Sequence, residues 1–240
     1  MDEAFLSGLR DLLQEQCRIP DLPDGWTITS AMLAAQGFEY GGDFFVADLV
    51  PTETGRDQLT MVLVDVCGKG ATALPEAVQF AGALRGLLGG LPESEVLRGA
   101  NGYLQRQPSD ECIATAAQVS IDLVNGHYRI RSAGHPPVLR WVGTDRALVV
   151  DNARGTALGV VEDPELGMST GVLAPGDALV FYTDGVVERH DSDLDTGISW
   201  LLYAARTALT TGRLADVPGR IMTQVSQGDD DRAVLVLARE

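Results

Sequence analysis

The chain has 240 residues, 45% of them hydrophobic, enough to bury one large core, and no linker-like stretch divides it. Its formal net charge of −16 works against nucleic acid and anionic membranes as partners. Three scattered cysteines offer neither a disulfide framework nor zinc spacing, so a reducing cytoplasm is expected. MDEAFLSG is acidic where a signal peptide would be basic, and charges such as Arg85 cut the apolar stretches short of a membrane span.

Residues Glu3 to Gln16 place Phe5, Leu9, Leu12 and Leu13 at helical spacing. They form a lead-in over residues 1–24, closed by Pro20 and Pro23, ahead of a main domain at residues 25–240. Trp26 to Leu33 alternates as a first strand, and Gly41-Gly42-Asp43-Phe44-Phe45 is a two-glycine turn feeding a second strand through Leu49 and Val50. A turn at Glu53 to Asp57 leads into Leu59 to Val64, an apolar run interrupted only by Thr60 and too short for a helix. It ends at Asp65, with Gly68 and Gly70 bending the chain behind it. Ala71 to Leu88 carries Leu74, Ala77, Val78, Ala81, Leu84 and Leu88 at helical spacing, with Pro75 in its first turn and Gly89-Gly90 as its stop. A second helix follows from Glu93 to Gln105.

Ala117, Val119, Ile121 and Leu123 alternate with polar residues as far as Asn125-Gly126, a pair that tolerates positive φ and predicts a type I′ hairpin into Tyr128 and Ile130. Strands are expected at Val138 to Val142 and Ala147 to Val150. Pro175-Gly176-Asp177 then launches Ala178 to Thr183, which ends at Asp184-Gly185. Helices are expected at Thr196 to Leu209 and Val217 to Val225, and Asp229-Asp230-Asp231 precedes a last strand, Ala233 to Ala238. Hairpins and strand runs argue for mainly antiparallel sheet and paired helices for outer layers, so a sheet sandwich flanked by helices is the economical solution.

Asp43, Asp65, Asp184 and Asp230 occupy equivalent places, each at a strand end beside turn residues. Singly, each reads as a turn former or cap. Together they ask for compensation: Asp65 and Asp184 fall at core edges, where an unpaired carboxylate is costly, and only Lys69 is near either in sequence. Cations from solution are the simpler answer. Oxygen ligands suit Mg²⁺ or Mn²⁺, and no cysteine or histidine pair suits zinc. Two such ions roughly 3.5–4 Å apart can activate water and clamp a phosphoryl group, which hydrolyses phosphate esters without a protein nucleophile. Competing motifs fail. Lys69 is followed by Gly70 rather than the Ser or Thr of a P-loop, and none of Cys17, Cys67 and Cys112 has an arginine six residues on. Phe44 stands where a diguanylate cyclase signature carries its second acid.

Gly41-Gly42-Asp43-Phe44-Phe45, Asp65-Val66-Cys67-Gly68-Lys69-Gly70, Ala133-Gly134-His135-Pro136-Pro137, Pro175-Gly176-Asp177, Tyr182-Thr183-Asp184-Gly185 and Asp230-Asp231 occur in order over nearly the whole chain. In this the chain resembles the bacterial SpoIIE/RsbU-type serine/threonine phosphatases of the metal-dependent PPM family. The resemblance implies an α+β fold, a four-layer α/β/β/α sandwich of two mainly antiparallel sheets flanked by helix pairs. It implies two Mn²⁺ or Mg²⁺ ions at one end. Asp65 would bridge both ions, Asp184 and Asp230 would complete one, and Asp43 with the Val66 backbone carbonyl would hold the other. A water held by the ions would attack phosphorus in phosphoserine or phosphothreonine on a regulatory partner, similar to an anti-anti-sigma factor. Homodimers are common in such proteins. Eukaryotic relatives hold the substrate phosphate with an N-terminal arginine, and none lies between Arg18 and Arg56 here; the metals would do that work, with Lys69 as a candidate helper. Ile19-Pro20-Asp21-Leu22-Pro23 replaces the usual Leu-Leu-Pro element.

Two other functions are weighed: a degenerate phosphatase that binds its partner without turnover, against which the four retained acids argue, and hydrolysis of a small phosphorylated molecule. His135 is expected to be a structural hydrogen bonder more than a general acid, Cys67 a small buried filler and Glu188 a solvated or capping acid. One of Asp229 and Asp231 is expected to support the ligands from behind.

Overall fold

The computed structural model describes residues 3–34, 41–51, 57–68, 73–108, 112–188, 194–225 and 230–240. In chain order its elements are α1 (Glu3–Gln16), β1 (Trp26–Leu33), β2 (Phe44–Pro51), β3 (Asp57–Val66), α2 (Leu74–Gly90), α3 (Val96–Leu104), β4 (Ala114–Asp122), β5 (His127–Ala133), β6 (Leu139–Val142), β7 (Ala147–Val150), β8 (Gly167–Val172), β9 (Ala178–Tyr182), α4 (Leu194–Thr211), α5 (Val217–Met222) and β10 (Arg232–Arg239). The strands form two five-stranded sheets, ordered β1-β10-β9-β6-β7 and β2-β3-β4-β5-β8, with every strand pair antiparallel.

The unbroken apolar runs follow from burial on both sheet faces. In β3, Leu59, Met61 and Leu63 point between the sheets, while Val62, Val64 and Val66 point to the helices. In β10, Ala233, Leu235 and Leu237 face the other sheet, and Val234, Val236 and Ala238 face α4 and α5. Three apolar layers therefore separate four structural ones, the expected α/β/β/α sandwich. The α2–α3 and α4–α5 pairs lie on opposite outer faces, and α1 joins the first of them. Its Leu13 enters that cluster, and Arg85 of α2 donates to the Gln16 carbonyl at 2.8 Å, satisfying an open end of the helix. Among the described residues no helix is long and apolar enough to cross a membrane.

Several boundaries differ from expectation. Gly89-Gly90 does not stop α2, which runs through Gly90; the Leu91 N–H still reaches the Leu87 carbonyl, and Pro92 follows. The second helix begins as a 3₁₀ turn at Glu93–Glu95, and α5 ends at Met222. The β4–β5 hairpin is in place but its turn is not type I′, because only Gly126 has positive φ (79°) and Asn125 does not. The Asp122 carboxylate accepts the Val124 N–H at 2.8 Å and the Asn125 side-chain amide at 2.7 Å, and the Asp122 carbonyl accepts the Gly126 N–H. These bonds hold a longer loop, Leu123 to Gly126, in which one left-handed residue suffices. Strand β8 was not expected; Gly167 to Val172 lies at a sheet edge, half exposed, with no apolar alternation to betray it. Of the turn expected at Glu53 to Asp57, residues 53–56 lie outside the described residues, and Asp57 already begins β3.

Phe80 fastens the first helix layer to its sheet. It is 1% exposed, meets Phe44 edge-on at 5.9 Å and stacks on Tyr103 of α3 at 5.8 Å. Phe80→Ala is expected to cost about 3–5 kcal/mol of unfolding free energy, read from the urea midpoint with an unchanged m value.

Candidate functional site

The two-residue period of the strands decides where the acids point. Asp65 continues the face of Leu59, Met61 and Leu63, and Asp43 shares the face of Phe45, so both carboxylates look into the space between the sheets. Phe44 pairs with Val64, which brings Asp43 level with Asp65 on the neighbouring strand. Thr183 continues the inward face of Leu179 and Phe181 on the other sheet. Asp184 follows it in a 3₁₀ turn, and Asp230 immediately precedes the β10 approach. One end of the sandwich thus receives acids from both sheets.

Hydrogen bonds tie these turns across the gap. The Thr183 hydroxyl accepts the Ala233 N–H at 2.8 Å and donates to Asp43 Oδ2 at 2.7 Å, joining β9 and β10 to the entrance of β2. Asp231 Oδ2 accepts the Gly42 N–H at 2.6 Å, and the Asp231 N–H donates to Asp230 Oδ1 at 3.0 Å. Asp43, Thr183 and Asp231 are buried.

Gathering carboxylates where water is scarce makes their ionised forms expensive. Burial raises the Asp43 pKa well above the carboxylate range, and the charges of Asp65, Asp231 and Asp184 add to it against the relief of the Thr183 hydrogen bond. Burial, then the charges of Asp184 and Asp230, push Asp65 up to about 8. Asp184 is raised by burial and then by the charges of Glu188 and Asp230. Such a set of hard oxygen donors is suited to divalent cations of the Mg²⁺ or Mn²⁺ kind. Among the described residues, no three acidic, imidazole or thiol groups as placed already enclose an ion.

Other motif residues serve the frame. His135 is buried, with Nδ1 2.7 Å from the Thr115 hydroxyl, and burial pushes its pKa down to about 3, which disfavours the imidazolium form a general acid would need. It sits in the crossover from β5 in one sheet to β6 in the other. Asp177 is a structural tie: its carboxylate accepts the Gly143 N–H at 2.9 Å and the Ala174 N–H at 3.1 Å and pairs with Arg140 at 3.4 Å. Cys67, expected to be buried, is exposed; β3 ends at Val66, and Gly68, at φ 131°, turns the chain outward. Glu188 is exposed, as expected, yet near enough for its charge to act on Asp184. Lys69 and Asp229 lie outside the described residues. Thr183 went unassigned in the sequence reading; its signal was that it is the polar residue closing an otherwise apolar strand.

The family profile described as Stage II sporulation protein E (SpoIIE) matches residues 55–240. The chain belongs to the SpoIIE family. This bears out the resemblance carried by its six motifs. Phosphoserine phosphatase RsbU of Bacillus subtilis (strain 168) is 25% identical over 138 residues, covering 55% of this chain and 40% of that protein. This SpoIIE-family chain therefore spans less than half the length of that relative. Among solved structures, the RsbU and RsbW domains of Rv1364c from Mycobacterium tuberculosis align with a TM-score of 0.77 and 26% identity over 90% of this chain and 60% of that one. The PP2C phosphatase domain of SpoIIE from Bacillus subtilis, with a fragment of its regulatory domain, aligns at 0.71 and 23% over 89% and 63%. RsbX in complex with magnesium shares the fold at 0.67 and 13% over 90% and 96%.

The raised Asp65 fixes the sign of a pH effect. Asp65 keeps a proton in the folded chain that it lacks in the unfolded one between the ordinary carboxylate value of 3.8 and about 8, so its contribution to stability falls as pH rises through that window, while His135, lowered from 6.5 to about 3, opposes it below pH 6.5. In chelator, the melting temperature is expected to drop as pH rises from 6.5 to 8, with the neighbouring Asp184, Asp230 and Asp231 supplying the repulsion. Asp65→Asn is expected to flatten that slope; an equal slope in the variant would place the charge cost elsewhere.

Proposed function

We propose that this chain is a metal-dependent protein serine/threonine phosphatase, hydrolysing phosphoserine or phosphothreonine on a small regulatory partner of the anti-anti-sigma-factor kind. The observation that carries the reading is the convergence of Asp43, Asp65, Asp184 and Asp230 on one another's charge from four separate turns, in a chain of the SpoIIE family. The choice of phosphoserine is supported by the RsbU likeness, and that of a partner-switching protein by the likeness to the RsbU and RsbW domains of one chain. The three cysteines form no disulfide among the described residues, in keeping with a reducing cytoplasm.

The carboxylates gathered at this end are the hard oxygen donors that two Mg²⁺ or Mn²⁺ ions would take, and the fold shared with the magnesium complex of RsbX supports that reading. Asp65, pushed up to about 8 by burial and then by the charges of Asp184 and Asp230, stands where positive charge is wanted. The Val66 carbonyl lies 3.6 Å from where a Cβ on residue 42 would stand, so Gly42 leaves that oxygen uncovered. In this reading Asp65 serves both ions, Asp184 and Asp230 serve one, and Asp43 with the Val66 carbonyl serves the other. When bound, the cations supply the positive charge that draws in phosphoryl oxygens and makes water nucleophilic near neutral pH. The chain's own part is to hold its carboxylates fixed, at the cost of raised pKa values that bound cations would offset. Thr183 immobilises Asp43, leaving Oδ1 for another partner, and the 3₁₀ turn presents Asp184 from the opposite sheet. No protein nucleophile is required, and burial disfavours the imidazolium form that His135 would need as a general acid.

Hydrolysis of a phosphoserine peptide is expected with Mn²⁺ and not with chelator. Asp184→Asn is expected to lower kcat/KM by more than about 100-fold, beyond the 10–100-fold typical of groups that merely support a ligand. A folded, Mn²⁺-loaded native chain that turned over no phosphoprotein or phosphopeptide would overturn the reading in favour of a binding protein.

A further inference from the structure

The four acids arrive on four turns, and one residue outside that set touches three of those turns. Asp231 is 4% exposed, at the β10 approach. Its Oδ2 accepts the Gly42 N–H at 2.6 Å, one residue before Asp43 and 189 positions away in the chain. Its own N–H donates to Asp230 Oδ1. Its carbonyl oxygen fills the space where a Cβ on residue 185, next to Asp184, would stand.

The glycines around it follow from this packing. A Cβ at residue 41 would lie 2.9 Å from Asp231 Cγ and 3.0 Å from both carboxylate oxygens, so Gly41 is required by the carboxylate and not by a left-handed φ. With one oxygen committed to an amide and the group wedged against the Gly41 backbone, the carboxylate is turned toward the protein.

We propose that Asp231 is a positioning residue that clasps the Gly41-Gly42 turn of one sheet to the end of the other and thereby sets where Asp43 meets Asp65, Asp184 and Asp230. The inference rests on the metal-site reading for its consequence but not for the clasp itself. An asparagine at this position keeps an oxygen for Gly42 and loses only the charge; alanine loses both. The clasp is what matters, so Asp231→Asn preserves the site and Asp231→Ala loosens it.

The test measures hydrogen exchange of the Gly42 amide in chelator and Mn²⁺ affinity by titration calorimetry, for the native chain, Asp231→Asn, Asp231→Ala, Gly41→Ala and the double variant Gly41→Ala/Asp231→Ala. Asp231→Asn is expected to keep the protected amide and near-native affinity. Asp231→Ala is expected to expose the amide and weaken Mn²⁺ by about 10–100-fold, with turnover recovering at saturating metal. Gly41→Ala is expected to do the same alone and add little in the Asp231→Ala background, where the opposing carboxylate is gone. An unchanged Gly42 amide in Asp231→Ala overturns the proposal. So does an Asp231→Asn variant with its amide protected and its affinity as poor as that of alanine, which would make Asp231 a ligand. A native chain that binds no Mn²⁺ sinks the metal reading alone; the exchange data then still decide the clasp.

Discussion

A buried hydroxyl ties the two sheets together at the end where the acids gather. Thr183 takes the amide of Ala233 on its own sheet and gives its proton to Asp43 on the other, so a neutral group is satisfied on both sides while orienting a charged one. At the middle of the sandwich Leu, Met, Phe and Val close the gap without direction. At its end the apolar layer runs out, and only directional bonds can set the separation of the sheets. The Asp231–Gly42 bond spans the same gap. Both ties run from the β9–β10 side to the turn before β2, which makes that turn the most constrained part of the rim.

Those ties work against electrostatics. Burial raises the pKa values of Asp43, Asp65 and Asp184, and the charges of neighbouring acids raise them further. A stability-optimised protein would replace such a cluster with apolar residues, since an unpaired buried charge costs more than its hydrogen bonds return. Such a cluster at the end of a densely apolar core is therefore a cost to stability that the layers behind it compensate. The same repulsion makes positive charge the natural complement, without any need for the carboxylates to be strained in backbone terms.

The parts of the molecule that could be read from sequence are those governed by local periodicity. β3, β9 and β10 stood out because both of their faces are buried, and the acids stood out because each interrupts or borders such a run. What could not be read depended on pairing across long separations. Asp43 and Thr183 are 140 residues apart, and Gly42 and Asp231 189. Nothing in either neighbourhood announces the other. The hairpin turn was misread because the Asp122 side chain competes for amides that a two-residue turn would leave to the ladder. β8 escaped because an exposed edge strand needs no apolar face. Cys67 was placed inside on the strength of its residue type, whereas the chain has already left the strand by that point.

The helix layer does more than cover a sheet, and the case rests on a second buried amide. Asn101 of α3 donates through Nδ2 to the carbonyls of Val161 and Glu162 and accepts the Gly159 N–H at 2.8 Å, while Arg98 pairs with Asp163. These bonds fix the segment after Leu158, which bridges to Ala114, the residue paired with Val66. The Cys67 N–H in turn reaches the Ile113 carbonyl at 2.9 Å. The chain just beyond Asp65 is thus held from β4, and β4 is linked to α3 through the segment after Leu158. A loop alone could not do this, because its own backbone groups would turn to water. A packed helix with a buried asparagine fixes them at the rim, and the carboxylate of Asp65 inherits that rigidity.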